Sequence, residues 1–168
     1  MAIVSLHRDL IEQAQHLATR ERGKPRQASL RRAVSAAYYA LFHLLANEGT
    51  LRLVPNSPER LRTQAQRAFN HSEMKNTCKQ IAKSSGFLLG LVVAPLESEL
   101  KTVAEVFVEL QQQRHLADYD LSQSFNRIDV LGIVAKANSA ISAWNRVRNT
   151  PNANVFLTAL LINSRWNR

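Results

Sequence analysis

Residues 31–46 read RRAVSAAYYALFHLLA, and this stretch decides the fold. On a helix that turns about 100° per residue, Leu30, Val34 and Leu41 share one side. The polar side chains form a second stripe on the opposite side, made of Arg32, Ser35, Tyr39 and His43. A helix that is apolar around most of its circumference is typical of the centre of a bundle, and polar groups placed there need hydrogen-bond partners or water. The stripe is therefore where we look for a functional site.

The same helical period continues along most of the chain, and no convincing β-strand alternation occurs. We predict an all-α protein, an up-and-down helical bundle of about five main helices plus short accessory helices. Residues 1–168 are expected to form a single domain, with 150–168 as a C-terminal helical extension. The second helix is expected to stop near Gly49. The predicted helices cover residues 3–20, 28–47, 58–69, 72–83, 95–116, 126–147 and 153–163.

Composition narrows the class of protein. The chain has 168 residues, of which 45% are hydrophobic and 21% charged, as in an ordinary globular domain. No apolar run approaches the roughly 20 residues that cross a bilayer, and the first residues lack the pattern of a secretory signal, so we expect no membrane partner. The single cysteine, Cys78, excludes an internal disulfide and favours a cytoplasmic location. The five histidines lack the spacing of a zinc site, so neither a metal nor a cofactor is predicted.

The positive charge is concentrated in one half of the chain. The net charge is +9, and residues 1–84 hold 14 Lys and Arg against 6 Asp and Glu. Residues 20–32, RERGKPRQASLRR, carry six basic side chains against one glutamate. Such a cluster favours a polyanionic partner such as RNA, DNA or a nucleotide, although a solvated surface that keeps the protein soluble is an equal alternative. The candidate nucleic-acid-binding residues are Arg20, Arg22, Lys24, Arg26, Arg31 and Arg32.

A second candidate site lies on the long helix near the middle of the chain. Its core-facing seam alternates steps of four and three residues, through Leu96, Leu100, Val103, Phe107, Leu110, Arg114, Ala117 and Leu121. Arg114 occupies a position where an aliphatic residue is expected, so it needs an anion, a set of acceptors or a route to solvent. Asp118 lies one turn further on and is placed to pair with it. The alternative is that Arg114 reaches solvent at the end of the bundle.

Two motifs occur together, SAAYYALFH at 35–43 and RHLADY at 114–119. The pair resembles the HEPN superfamily of bacterial helical proteins, in particular members with Ser-x-x-Tyr-Tyr-x-x-Phe-His and Arg-x-x-Ala-Asp-Tyr. The resemblance covers roughly residues 5–147. It implies a helical bundle that commonly forms a homodimer, and either a metal-independent ribonuclease or an RNA- or nucleotide-binding protein. It also implies a toxin–antitoxin or defence context, often with a nucleotidyltransferase partner.

The ribonuclease motif is incomplete. In nuclease members an arginine is followed, after four to six residues, by a histidine. Arg114 matches, but the three possible positions hold Tyr119, Asp120 and Leu121. A tyrosine side chain has a reference pKa of about 10 and is a poor base at neutral pH. The resemblance therefore implies a remnant site of Arg114, Asp118 and Tyr119.

Three functions stay open. The first is an RNA- or nucleotide-binding component with a degenerate ribonuclease motif. The second is an active metal-independent ribonuclease with a nonstandard site, in which His43 supplies the acid and base. The third is a non-enzymatic helical interaction module, in which the uncharged stretch of residues 84–96 forms the surface that binds another protein.

Overall fold

The computed structural model describes residues 6–166, and this part of the chain is all-α, as predicted. It contains seven α-helices, one short 3-10 helix and no strand. Five helices of 14 or more residues match the predicted main helices, and two helices of 9 and 12 residues match the short accessory ones. Residues 3–5 of the predicted first helix and residues 167–168 lie outside the described part. The helices are α1 Leu6–Thr19, α2 Gln27–Leu53, α3 Glu59–Arg67, α4 His71–Ala82, α5 Ser98–Tyr119, α6 Arg127–Val147 and α7 Pro151–Trp166, with the 3-10 helix at Phe87–Gly90.

The chain divides into two compact units. The first unit contains Met1–Leu44 and Val106–Ile141, and the second contains Leu45–Glu105 and Ser142–Arg168. The divisions fall within α2, α5 and α6, so each unit is built from segments that are distant in sequence. None of the helices between residues 6 and 166 has both the length and the apolar character needed to cross a membrane.

The core of the first unit follows the predicted apolar side of α2. Leu30, Val34 and Leu41 are completely buried. The Tyr38 ring is buried with them and packs against Phe107 of α5, with 5.6 Å between the ring centroids. The periodicity of the sequence therefore placed this face of the helix correctly, because burial of large apolar side chains is the main driving force for packing.

The predicted end of α2 at Gly49 is wrong, since the helix continues to Leu53. Gly49 serves the packing of the second unit instead. A Cβ atom at this position would lie 2.5 Å from Cζ of Phe69, whose ring is buried. Glycine is present here because the phenyl ring packs directly on the helix backbone, and the loss of helix propensity is offset by that packing.

Helix α5 is shifted relative to the prediction, and the shift changes the seam. It begins at Ser98 and ends at Tyr119, not at 116. Leu100, Phe107, Leu110 and Ala117 are buried as expected. Leu121, the last predicted seam residue, is 90% exposed because it follows the end of the helix. Arg114 is thus close to the end of the helix, where a polar side chain is easily accommodated.

Buried polar contacts connect the helices of the second unit. On α4, the Thr77 hydroxyl donates a hydrogen bond of 3.0 Å to the Ala159 carbonyl of α7. The buried carboxylate of Glu48 accepts a hydrogen bond of 2.6 Å from Arg148. These contacts satisfy groups that would otherwise be costly to bury.

Candidate functional site

The two sequence motifs meet in the first unit at Arg114. Its side chain is 15% exposed, and its Nη2 donates a hydrogen bond of 3.0 Å to the Tyr39 hydroxyl. Its Nε lies 3.2 Å from Oδ2 of Asp118, one turn along the helix. The Nε–H bond does not point at that oxygen, so this contact is an ion pair and not a hydrogen bond. The predicted pairing of Arg114 with Asp118 is confirmed, and α2 packs against the segment of α5 that carries Arg114.

Aromatic rings surround the Arg114 guanidinium. Its central carbon lies 5.6 Å from the ring centroids of both Tyr38 and Tyr39, and 5.9 Å from that of Tyr119. Burial by itself would lower the pKa of Arg114. The hydrogen bond to Tyr39 and the neighbouring Asp118 charge outweigh that effect, and the pKa is raised above its ordinary value. The cation is therefore permanent and fixed in position.

Asp118 connects Arg114 to the polar stripe of α2. Its Oδ1 accepts a hydrogen bond of 2.6 Å from the Ser35 hydroxyl, while its Oδ2 faces Arg114. The positive and negative charges of Arg114 and Asp118 offset each other, so the cluster has no net charge left for a phosphate. Its chemistry fits the support of a helix contact better than the binding of an anion.

His43 lies on the same stripe and shares a neighbour with Arg114. Its half-buried ring stacks on Tyr39, with 5.9 Å between centroids and 27° between ring planes. Burial lowers the pKa of His43, so the imidazole is neutral at pH 7. Between residues 6 and 166 no hydrogen bond joins His43 to Arg114, but Tyr39 contacts both side chains. Tyr119, the third member of the predicted remnant site, is 66% exposed and contacts His115.

The basic segment forms an exposed loop between α1 and α2. Arg20, Arg22, Lys24 and Arg26 are all exposed, and so is Arg32 on the first turns of α2. Among the described residues, no carboxylate forms an ion pair with any of these five cations. We call this set of five side chains the cationic surface.

The one carboxylate within the loop is directed inward. Glu21 accepts a hydrogen bond of 2.7 Å from the Ser29 hydroxyl. This hydrogen bond is the main cause of the lowered pKa of Glu21. The carboxylate is therefore held by Ser29 at the start of α2. It forms no ion pair with an arginine of the loop, although the charge of Arg20 also contributes to its lowered pKa.

Arg31 was predicted to bind nucleic acid, but its guanidinium is occupied within the first unit. It donates hydrogen bonds of 2.8 Å to the Ala117 carbonyl, 3.0 and 3.1 Å to the Asp120 carbonyl and 2.5 Å to the Gln123 carbonyl. The last carbonyls of a helix have no partner inside the helix, and a cation there also interacts favourably with the helix dipole. We therefore assign Arg31 a structural role and exclude it from the cationic surface.

Arg127 is the functional residue that sequence reasoning missed. From the start of α6 it donates hydrogen bonds to the Ala18 carbonyl in the last turn of α1 (3.2 Å) and to the Glu21 and Gly23 (2.9 Å) carbonyls of the α1–α2 loop. Each contact joins residues more than a hundred positions apart, and no local pattern predicts such contacts. Arg127 fixes the backbone that carries four of the five exposed cations.

Gln27 holds the other end of the same loop. Its amide donates 2.7 Å to the Phe125 carbonyl and accepts 2.9 Å from the Phe125 backbone N–H. The Gln27 side chain thus satisfies both the N–H and the C=O of Phe125, which have no partner in a regular secondary structure. The start of α2 is thereby bound to the segment that precedes α6.

A groove of about 440 Å³ runs beside the polar stripe in the first unit. Leu10 and Leu17 of α1 form its apolar wall, and Ser35, Tyr39 and Arg32 of α2 form the other. Arg32 is the cation that lines the groove. The polar stripe therefore reaches the surface and is not sealed in the core.

The uncharged stretch 84–96 of the second unit remains partly at the surface. Phe87 is 52% exposed, Leu91 42% and Val93 65%, whereas Leu88 is buried. Asn152 fixes the segment by hydrogen bonds to both backbone groups of Val93, at 2.7 and 2.8 Å. The exposed side chains are thus presented by an ordered backbone.

Cysteine and metal chemistry have little support in the described part of the chain. Cys78 is buried, and burial raises the pKa of its thiol well above the ordinary value, so it is a structural side chain. Within residues 6–166, no three side chains of the His, Cys, Asp and Glu types are grouped so that they could hold a metal ion.

No protein-family model, curated protein or solved structure matches this chain. The resemblance to HEPN proteins rests on the two motifs quoted above.

Proposed function

We propose that this protein is an HEPN-like RNA-binding component of a toxin–antitoxin or defence system, and that the cationic surface contacts the phosphates. One observation carries the proposal: five exposed cations lie on or beside a single loop, and no carboxylate pairs with them in the described part of the chain. Uncompensated clusters of this kind bind polyanions through release of counterions.

The fixed backbone of the loop strengthens the argument. Arg127 binds one carbonyl at the end of α1 and two carbonyls of the loop, so the backbone that carries the cations does not have to be ordered when RNA binds. A preorganised surface loses less conformational entropy on binding than a flexible one. Contacts with phosphates give affinity but no sequence preference, so we expect this surface to bind single-stranded RNA of many sequences.

The Arg114 cluster supports this function as a structural element. Its charges are balanced by Asp118, and its contacts with Tyr39 fix the α2 segment from which Arg32 projects. The resemblance further implies a homodimer and a nucleotidyltransferase partner in the cytoplasm, and both belong to the proposal.

The test is a titration of a fluorescent single-stranded RNA at several salt concentrations. Five phosphate contacts predict a slope of roughly −3.5 in a plot of log affinity against log salt, since each contact contributes about −0.7 for single strands. Replacing the cationic surface by glutamine should abolish that slope and most of the affinity. The matched control replaces five other exposed cations by glutamine, namely Arg8, Arg60, Arg67, Lys79 and Lys83. Affinity that does not depend on salt, or an equal loss in the control, contradicts the proposal.

The active ribonuclease remains a second candidate because Tyr39 contacts both Arg114 and His43. The same RNA is incubated with the protein in the presence of a chelator. Cleavage that disappears in both Arg114→Ala and His43→Gln would replace a binding function by a catalytic one. Intact RNA in all three samples would exclude this candidate for that RNA.

A further inference from the structure

The second unit contains a cleft of about 480 Å³ that plays no part in the function proposed above. Helices α4 and α7 line it with the amide side chains of Asn76, Gln80 and Asn163. Glu73 adds one carboxylate, and Phe87 of the 3-10 helix adds an aromatic ring. Pockets of this size, with a few convergent polar groups, are typical of small-ligand sites.

Two of these amides have polar atoms that the protein leaves without a partner. Asn163 is only 7% exposed, yet within residues 6–166 its side chain forms no hydrogen bond. Oε1 of Gln80 is buried and also has no partner. Buried polar groups are almost always hydrogen-bonded, so the unpaired Asn163 amide on this cleft indicates that a ligand supplies its partners. Oε1 of Gln80 has no such access, because protein atoms cover it.

The backbone next to the cleft is adapted to this arrangement. Gly86 has φ of 87° and ψ of 178°, a conformation that essentially only glycine adopts. A Cβ atom at this position would lie 2.8 Å from Oε1 of Gln80, so the loop backbone lies directly on the amide. Phe87 follows at once and is 52% exposed at the edge of the cleft.

We propose that this cleft binds an unpaired nucleobase that carries an exocyclic amino group. Asparagine and glutamine amides match the donor and acceptor pattern of a base edge, and an exposed aromatic side chain provides a face for stacking. The Glu73 carboxylate on the cleft is an acceptor, so it requires a donor from the ligand, which the amino groups of adenine, cytosine and guanine provide. The Glu73 carboxylate also disfavours a phosphate at the same place.

This inference rests on the proposed function and adds base recognition to it. The cationic surface supplies affinity for the backbone of RNA, and the cleft of the second unit selects among the bases. The two contributions are separable because a nucleoside has a base but no phosphate.

The test is a titration of the full chain with adenosine, cytidine and uridine, followed by saturation-transfer NMR and calorimetry. We expect adenosine and cytidine to bind more tightly than uridine, with no dependence on salt. Phe87→Ala should weaken adenosine binding roughly tenfold, as expected for the loss of one stacking contact. Asn163→Leu should abolish binding. It should leave the thermal stability equal or higher, because an apolar side chain of similar size replaces an unpaired amide. The matched control is Leu91→Ala, an exposed apolar residue of the same segment that does not line the cleft.

Several results would overturn the inference. These are the absence of adenosine binding, equal affinity for uridine, equal affinity for a blocked dipeptide amide, or an equal effect of Leu91→Ala. If nucleosides fail to bind while RNA binding keeps its salt dependence, the cleft assignment is wrong and the cationic surface stands. If nucleosides bind but RNA does not, the cleft assignment stands and the assignment of the cationic surface is wrong. Phe87 is exposed, so its replacement by alanine keeps the test valid even if Asn163→Leu fails to fold.

Discussion

Arg31 and Arg32 are adjacent and identical in chemistry, yet the structure predicts opposite results for their replacement. Arg31→Ala removes hydrogen bonds to three backbone carbonyls, each with a donor–acceptor distance of 3.1 Å or less. It also removes a cation–π contact in which the guanidinium carbon lies 5.7 Å from the centre of the Phe125 ring. Arg32 is exposed and, in the described part of the chain, forms no ion pair. The first arginine should therefore determine stability and the second the binding of RNA.

The size of the stability effect follows from these contacts. A hydrogen bond that involves a charged group contributes about 1.5–3 kcal/mol. Water replaces part of this when the side chain is removed, so about 1 kcal/mol for each of the three carbonyls of Arg31 is a reasonable scale. The total of about 3 kcal/mol corresponds to a fall of about 10 °C in Tm for a chain of this size. Arg31→Lys keeps the charge but loses the forked geometry of the guanidinium, so its Tm should lie between those of the parent protein and Arg31→Ala.

The assay compares Arg31→Ala, Arg31→Lys and Arg32→Ala by thermal unfolding, monitored by circular dichroism, and by the RNA titration. Arg32→Ala should leave Tm nearly unchanged and make the salt slope shallower by about 0.7. The reasoning is refuted if Arg31→Ala keeps the Tm of the parent protein, or if it weakens RNA binding more than Arg32→Ala while the protein remains equally stable.

Two further predictions concern packing and pH. Gly49→Ala should lower stability by about 1 kcal/mol or more, because the added methyl group meets the buried Phe69 ring and overpacking exceeds the gain in helix propensity. The control Gly132→Ala has open space around it and should raise the urea midpoint instead. His43 has its pKa lowered in the folded state, so the unfolded state binds the proton more readily and stability is lost as the pH falls below the ordinary value of 6.5. His43→Phe should reduce this loss between pH 7 and 5 in urea unfolding, and an unchanged pH dependence would show that other groups cause it.

The sequence was sufficient for the features that depend on periodicity. The apolar side of α2 is buried, and the Ser35 and Tyr39 side chains lie on another side, where they contact Asp118 and Arg114. The separation of the two sides follows from helical geometry, which fixes the direction of each side chain. The contact between α2 and α5 did not follow from the periodicity.

The features that sequence reasoning missed depend on contacts between distant segments. Gly49 looked like a helix end because its packing partner, Phe69, lies twenty positions away. Arg31 looked like part of a basic patch because the carbonyls it contacts belong to the end of α5 and to the residues that follow it, far away in sequence. The amide cleft draws residues from two helices that are separated by the whole of α5 and α6. Charge and spacing alone give no information about such partners.

The hold of Arg127 on the α1–α2 loop has a consequence for anyone who modifies this protein. A polar, glycine- and proline-containing loop is usually the first choice for inserting a tag or a fluorescent label. Here one guanidinium contacts the carbonyls of Ala18, Glu21 and Gly23 at the same time. One inserted residue would displace part of that set by up to about 3.5 Å, which is beyond hydrogen-bond reach. The length of this loop is therefore constrained, although the identity of its exposed side chains is not.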